Sequence, residues 1–130
     1  MGLFDLFKKH QTSSESKQGG VPWNSLSSEE DLDRLIDRSS RKPQCIFKNS
    51  TSCGISSMVL RSLEAQYDLK PEQADFYLLH IQHNRPLSNQ IAQRFNIRHE
   101  SPQLLIIKNG QVVRNASHGA ITEVSIAQYL

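Results

Sequence analysis

The sequence predicts an α/β domain in which helices cover both faces of a mixed sheet of four strands. Three observations lead to this prediction. Short apolar runs of strand length occupy residues 44–49, 75–81 and 103–107. Amphipathic segments separate them, and a helix between two strands implies that the strands are parallel. The dipeptide Asn109-Gly110 then indicates a tight antiparallel hairpin, which makes the sheet mixed.

Composition limits the classes of protein to consider. A chain of 130 residues with 37% hydrophobic residues fits one domain with one core. The net charge of +2 does not indicate a basic binding surface, so we expect no nucleic-acid partner. Two cysteines exclude a dense disulfide framework of the secreted type. The expected location is therefore a reducing compartment, the cytoplasm.

The N-terminal residues differ from the rest of the chain. Residues 1–20 are predicted to form a flexible arm, because the stretch from residue 11 onward is rich in Ser, Gln and Gly, and residues 21–130 are predicted to form the domain. The apolar run before that stretch is interrupted by Asp5 and followed by positive charge, unlike an export signal. Leu6 stands where a myristoylation motif requires Ser or Thr. We expect no stable membrane insertion.

The first half of the domain alternates predicted helix and strand. Ser27 and Glu30 fit a capping box, which predicts an additional N-terminal helix over residues 28–38. Residues 44–49 are bounded by turn residues and predict a central, buried strand. A helix is predicted after Cys53. The apolar residues that recur along it at helical spacing are Ile55, Met58, Val59, Leu63 and Tyr67.

The second half ends in the hairpin. A strand over residues 75–81 is followed by a helix that starts at Pro86. The apolar face of this helix consists of Leu87, Ile91 and Phe95. The third strand, residues 103–107, leads through the tight turn to Val112-Val113 in the fourth. Thr122 is expected to be the N-cap of a short final helix.

This order of elements matches the thioredoxin-like arrangement, a four-stranded mixed sheet flanked by helices. In that arrangement a reactive cysteine opens the first core helix directly after the first core strand, and Cys53 has this position. A proline that is usually cis precedes the third core strand and faces the thiol, and Ser101-Pro102 stands there. Gly119-Ala120, before the last helix, also fits the pattern.

Cys53 is the candidate catalytic nucleophile. A thiol at a helix N-terminus meets unpaired backbone N–H groups and the positive end of the helix dipole, and both favour the thiolate. Ser56 occupies the position of the resolving cysteine in C-x-x-C, and its hydroxyl and backbone N–H are expected to hydrogen-bond to the thiolate. One cysteine is sufficient for thiol–disulfide exchange through a mixed disulfide.

Three short segments of the sequence resemble the corresponding motifs of the YtxJ family, the monothiol bacilliredoxins. They are KNSTSCGIS at residues 48–56, RPLS at 85–88 and HESPQ at 99–103. The resemblance covers about residues 22–130. It implies removal of bacillithiol from S-bacillithiolated cytoplasmic proteins, with Cys53 as the nucleophile. Bacillithiol would then be a co-substrate, the partners would be client proteins and a low-molecular-weight thiol, and no cofactor would be tightly bound.

The residues expected to contact the substrate are Gly54, Ile55, Ser56, Ser101 and Pro102. Ser101 would offer its backbone to the client disulfide in the short antiparallel manner that the thioredoxin-like resemblance implies. Cys45, eight positions before Cys53, could act as a resolving thiol, but its apolar strand favours a buried structural role.

Other polar residues are weaker candidates. His80 and His83 are three apart at a strand end, where such residues point to opposite faces, so no metal site is predicted. Lys48, Asn49 and Arg85 would help to hold a carboxylate-bearing thiol, although isolated charges usually face solvent. His99 is expected to be a solvated loop residue without an acid–base role.

Two other classes of function remain open at this point. The motif Cys53-Gly54-Ile55-Ser56 differs in one residue from the C-G-F-S motif of monothiol glutaredoxins. This similarity suggests an iron–sulfur carrier. A catalytically inert binding module of the same fold is the other. Visible absorbance after reconstitution would identify a carrier, and an unperturbed thiol pKa together with no exchange activity would identify an inert module.

Overall fold

The computed structural model describes residues 20–52 and 54–130, so most of the predicted N-terminal arm, and Cys53, lie outside the described residues. The elements are, in chain order, β1 (Trp23–Ser25), α1 (Glu29–Arg38), β2 (Gln44–Asn49), α2 (Gly54–Gln66), β3 (Asp75–His80), α3 (Arg85–Phe95), β4 (Gln103–Lys108) and β5 (Gln111–Ser117). Two short 3₁₀ helices follow, His118–Glu123 and Ile126–Tyr129.

The sheet is mixed, as predicted, and its strand order is β1-β3-β2-β4-β5. Strands β1 and β2 both pair with β3 in parallel, whereas β4 is antiparallel to β2 and to β5. The described part of the chain thus has five strands and not four. The extra strand, β1, has the sequence Trp-Asn-Ser, which contains no apolar run. Only Trp23 is half-buried, and the other two residues are exposed. It therefore lacks the sequence signal that revealed the other strands.

The first helix begins one residue later than the capping box predicted. Its N-cap is Ser28, whose hydroxyl accepts a hydrogen bond of 3.1 Å from the backbone N–H of Asp31. The Asp31 carboxylate in turn accepts one of 3.1 Å from the backbone N–H of Ser27. The helix predicted over residues 28–38 is thus present as α1, and the short strand β1 of the sheet precedes it.

Every residue of β2 is buried, so this strand forms the centre of the domain, as predicted. Its side chains alternate between two apolar layers. Cys45 and Phe47 belong to the layer under α2 and the C-terminal 3₁₀ helices. Ile46 belongs to the layer under α1 and α3. Lys48 follows at the same parity as Ile46, and its side chain therefore enters the second layer.

The C-terminal part of the chain confirms the hairpin and corrects the final helix. Asn109 and Gly110 both have positive φ angles, 52° and 76°, as a two-residue type I′ turn requires. No α-helix follows β5 in the described chain, only the two 3₁₀ helices. Thr122 does not cap a helix, because its hydroxyl donates a hydrogen bond of 2.8 Å back to the carbonyl of Gly119.

None of the helices in residues 20–52 and 54–130 is both long enough and apolar enough to span a bilayer.

Candidate active site

The functional candidates gather at one end of the sheet. Lys48, near the end of β2, pairs with Gln103 at the start of antiparallel β4. Asn49, the last residue of β2, pairs with His80, the last residue of parallel β3. The turn at 50–52, the loop after β3 and the segment before β4 consequently lie together. Cys53 falls within this group by sequence, between the turn and the start of α2, although it lies outside the described residues.

The side chain of Gln82 makes three hydrogen bonds to the turn at residues 50–52, which precedes Cys53. Its carbonyl oxygen accepts a hydrogen bond of 3.0 Å from the backbone N–H of Thr51. Its amide nitrogen donates to the hydroxyls of Ser50 and Ser52, at 2.8 Å and 2.9 Å. Gln82 belongs to none of the sequence motifs described above. Its one sequence signal is that it follows the carboxyl end of a parallel strand, where functional residues of α/β sheets collect.

Ser56 lies beneath the turn and not at the surface. It is fully buried, and its hydroxyl donates a hydrogen bond of 2.8 Å to Oδ1 of Asn49 while accepting one of 2.9 Å from the backbone N–H of Ser50. The Asn49 amide nitrogen continues the network to Nδ1 of His80 at 3.1 Å. The hydroxyl proton of Ser56 is directed to Asn49 and does not point to a thiolate; a hydrogen bond from its backbone N–H and its contact with the substrate stay predictions.

The start of α2 presents an open surface. Gly54 is its first residue, and a Cβ built there would meet nothing within 4 Å. Ile55 and Met58 are 49% and 57% exposed, so these two apolar residues do not join the core as their helical spacing predicted. They line an open groove of about 580 Å³ that extends to Gly119. Contact of Ile55 with a substrate stays a prediction.

The segment before β4 adopts the expected conformation. The peptide bond between Ser101 and Pro102 is cis, and the Pro102 carbonyl accepts a hydrogen bond of 3.0 Å from the backbone N–H of His118. Ser101 is half-buried, and its hydroxyl has no hydrogen-bond partner among the described residues. The role of both residues in substrate binding stays a prediction.

Cys45 has the properties of a structural thiol. It is fully buried in the layer under α2, and it is a free cysteine. Burial raises the pKa of the Cys45 thiol to about 12, and the negative charge of Asp75 acts in the same direction. Because thiol–disulfide exchange requires a thiolate, Cys45 does not have the chemistry of a resolving cysteine at neutral pH.

Lys48 and His99 were expected in solvent, and the structure corrects both expectations. Lys48 is fully buried, and its Nζ lies 3.2 Å from Nδ1 of His99, which is itself half-buried. Burial lowers the pKa of Lys48 to about 8. Asn49 is buried as well, whereas Arg85 is exposed. Lys48 and Asn49 therefore do not face an incoming carboxylate.

His80, the last residue of β3, and His83 lie together, with ring centroids 5.7 Å apart, and not on opposite faces as expected. Within residues 20–52 and 54–130, no group of three or more His, Cys, Asp or Glu side chains is arranged to hold a metal ion.

The fold and the position of the site define a class of protein, the thioredoxin-fold oxidoreductases. The arrangement combines a mixed sheet, a core helix starting directly after a cysteine and a cis proline at the same end of the sheet. Within this class, the family model described as monothiol bacilliredoxin BrxC matches residues 24–126. The chain therefore belongs to the monothiol bacilliredoxin family, which confirms the resemblance found in the sequence.

Solved structures agree with this assignment. A protein proposed to be an oxidoreductase with a thioredoxin fold is 32% identical, with a TM-score of 0.67, over 87% of this chain and 96% of the other. Malassezia sympodialis thioredoxin is 23% identical, with a TM-score of 0.63, over 82% and 88% of the two chains. Fasciola hepatica thioredoxin is 19% identical, with a TM-score of 0.63, over 82% and 94%. The two thioredoxins show the fold alone.

Proposed function

We propose that this protein removes bacillithiol from mixed disulfides on cytoplasmic proteins, using Cys53 as its single reacting cysteine. The proposal is carried by the observation that neither Ser56 nor Cys45 can supply a second reacting thiol. Ser56 stands at the resolving position with its hydroxyl committed to Asn49, and Cys45 is fully buried with a raised pKa. Membership of the monothiol bacilliredoxin family supports the choice of small thiol.

The reaction is two successive exchanges. In the first, the Cys53 thiolate attacks the bacillithiol sulfur of the mixed disulfide, a new S–S bond forms, and the client cysteine leaves as a thiolate and takes up a proton. In the second, the thiolate of another bacillithiol attacks the bacillithiol sulfur on Cys53. Bacillithiol disulfide forms, and Cys53 is released as a thiolate. Per turnover, one mixed disulfide and one free bacillithiol become one client thiol and one bacillithiol disulfide, so the free bacillithiol is the reductant.

The residues around Cys53 support the first exchange in separate ways. The first turn of α2, from Gly54, offers backbone N–H groups that have no partner within the helix, and these stabilise a thiolate. Ile55, exposed beside the groove, offers apolar contact to the client. The backbone of Ser101 and the ring of Pro102 are proposed to hold the chain on either side of the client cysteine.

The test follows bacillithiol from a bacillithiolated model protein by intact mass spectrometry. Wild-type protein is expected to gain one bacillithiol while the client loses one, and Cys53→Ser is expected to do neither. Cys45→Ala is the matched control and should transfer as the wild type does. Equal transfer by Cys53→Ser, or no transfer by the wild type, would contradict the proposal. A visible iron–sulfur spectrum that disappears in Cys53→Ala would instead support the carrier function.

A further inference from the structure

The side chain of Lys48 is fully buried, which is uncommon for a lysine. Its Nζ donates a hydrogen bond of 3.0 Å to the backbone carbonyl of Ser88 on α3 and lies 3.2 Å from Nδ1 of His99. In the part of the chain that the structure describes, no carboxylate forms an ion pair with it. The ammonium group is thus held by a carbonyl and an imidazole.

This contact determines the state of His99. An ammonium group can only donate hydrogen bonds, so Nδ1 of His99 is the acceptor and the ring proton resides on Nε2. The Ser88 hydroxyl lies 3.1 Å from the same Nδ1. Burial lowers the pKa of His99, and the positive charges of Lys48 and Arg85 lower it further. His99 is therefore a neutral imidazole in one tautomer when Lys48 is charged.

The contact also connects the two segments of the candidate active site. Lys48 lies in the strand that leads to Cys53, and His99 precedes Ser101-Pro102 by two residues. Gln103 pairs with Lys48 through the backbone, and its side-chain nitrogen donates a hydrogen bond of 3.0 Å to the carbonyl of Arg98. This hydrogen bond closes residues 98–103 into a loop. The Lys48 ammonium contacts this loop through its hydrogen bond to His99.

We propose that Lys48 is a positioning residue for the client-binding segment: its buried ammonium holds His99 in one neutral tautomer and thereby keeps Ser101-Pro102 in place for a client disulfide. This inference rests on the proposed function. Lys48 enters the layer under α3, on the sheet face opposite α2, so it acts on client binding through His99 and not on the reacting sulfur.

The charges around His99 determine what removal of Lys48 does. Arg85 lowers its pKa and Glu100 raises it, while His118 lies 3.8 Å from the Glu100 carboxylate. The residues that flank Lys48 on the neighbouring strands, Leu79 and Gln103, are uncharged. Loss of the Lys48 charge therefore removes one of the two positive charges acting on His99. The His99 pKa is expected to rise, and its tautomer is no longer fixed.

The test compares Lys48→Met, which fills a similar space without charge, with Lys70→Met at an exposed position. Nitrogen NMR of the imidazole is expected to show the Nε2–H tautomer of His99 in the wild type and in Lys70→Met. In Lys48→Met both tautomers and a higher pKa are expected. The KM for a bacillithiolated protein should rise about tenfold in Lys48→Met with kcat changed less than about twofold, because a positioning contact acts on binding. The rate at which iodoacetamide alkylates Cys53 should not change.

An unchanged His99 tautomer and pKa in Lys48→Met, or an unchanged KM while the wild type is active, would overturn the inference. A wild type without exchange activity contradicts the proposed function instead, and the NMR result still decides whether Lys48 holds His99. Should Lys48→Met fail to fold, His99→Phe replaces it. This variant keeps a ring and removes the acceptor, so the same rise in KM is expected, and an unchanged KM overturns the proposal.

Discussion

The hydroxyl of Ser56 donates a hydrogen bond of 2.8 Å to Oδ1 of Asn49. Asn49 is the last residue of β2 and Ser56 is the third residue of α2, so this bond joins strand to helix on either side of Cys53. Both residues are buried. Ser56, which stands where a resolving cysteine would be, therefore connects the strand and the helix on which the site is built.

Replacement of Ser56 by alanine should destabilise the fold. The change leaves the Asn49 oxygen without a donor and the Ser50 N–H without an acceptor, so the free energy of unfolding should fall by about 1–3 kcal/mol. Urea denaturation measures this difference. Ser57→Ala, one position further along the same helix and half-buried, should change stability by less than about 0.5 kcal/mol. Equal effects of the two substitutions would show that the network does not stabilise the fold.

Replacement of Gln82 should slow the reaction of Cys53 without unfolding the protein. Gln82→Ala removes three hydrogen bonds to the turn at residues 50–52, but the side chain is exposed, so the loss of stability should stay below about 1 kcal/mol. The exchange rate with a model disulfide should fall roughly three- to tenfold, because the turn no longer holds one conformation. His83→Ala, the exposed next residue, serves as the control and should retain the wild-type rate.

The two cysteines should differ sharply towards alkylating reagents. Since burial raises the pKa of Cys45 to about 12, native protein treated with iodoacetamide at pH 8 should gain one adduct, at Cys53. In denaturant it should gain two. Cys45→Ala should gain one under both conditions. Rapid appearance of a second adduct on native wild-type protein would mean that Cys45 is accessible as a thiolate, contrary to this expectation.

The burial of Lys48 predicts a specific pH dependence of stability. Its pKa falls from the ordinary value of 10.5 to about 8 in the folded state, so the unfolded chain binds more protons between these two values. The free energy of unfolding contributed by Lys48 should therefore rise with pH across this interval, by about 1.4 kcal/mol for each pH unit.

Lys48→Met lacks this contribution and serves as the reference protein. The difference in unfolding free energy between wild type and variant, measured by urea denaturation from pH 7 to 10, should move in favour of the wild type as pH rises. The raised pKa of Cys45 acts in the opposite direction above pH 9, but it is present in both proteins and cancels in the difference. Parallel stability curves would exclude a lowered Lys48 pKa.

Three glycines should respond differently to alanine. Gly20 has a φ of +78°, and its added Cβ would lie 2.5 Å from the carbonyl oxygen of Glu64, so Gly20→Ala should destabilise by more than about 1 kcal/mol. Gly110 also has a positive φ but open space, so only the backbone strain of about 1 kcal/mol applies. Gly54→Ala meets neither obstacle and should be neutral or stabilising. Thermal unfolding would rank the three, and the reverse order would contradict this reasoning.

The order of elements could be predicted from the sequence because short-range patterns encode it. The strands at 44–49 and 103–108 are continuous apolar runs, the hairpin has its Asn-Gly turn, and the second core helix has its proline in the first turn. Strand β1 could not be predicted, since its three residues carry no periodicity and pair with β3 more than fifty residues away. The sequence predicts an α-helix where the two final 3₁₀ helices lie, because Thr122 resembles an N-cap.

The sequence alone shows that a cysteine follows the strand at residues 44–49, that a serine stands three positions later, and that a proline directly precedes the strand at residues 103–108. These are relations along the chain, and local patterns report them directly. That Ser56 supports the site, that Gln82 holds the turn and that Lys48 is buried against His99 became known from the folded structure. Each of these facts depends on a contact between separate elements, and the burial of a polar side chain depends on what packs over it.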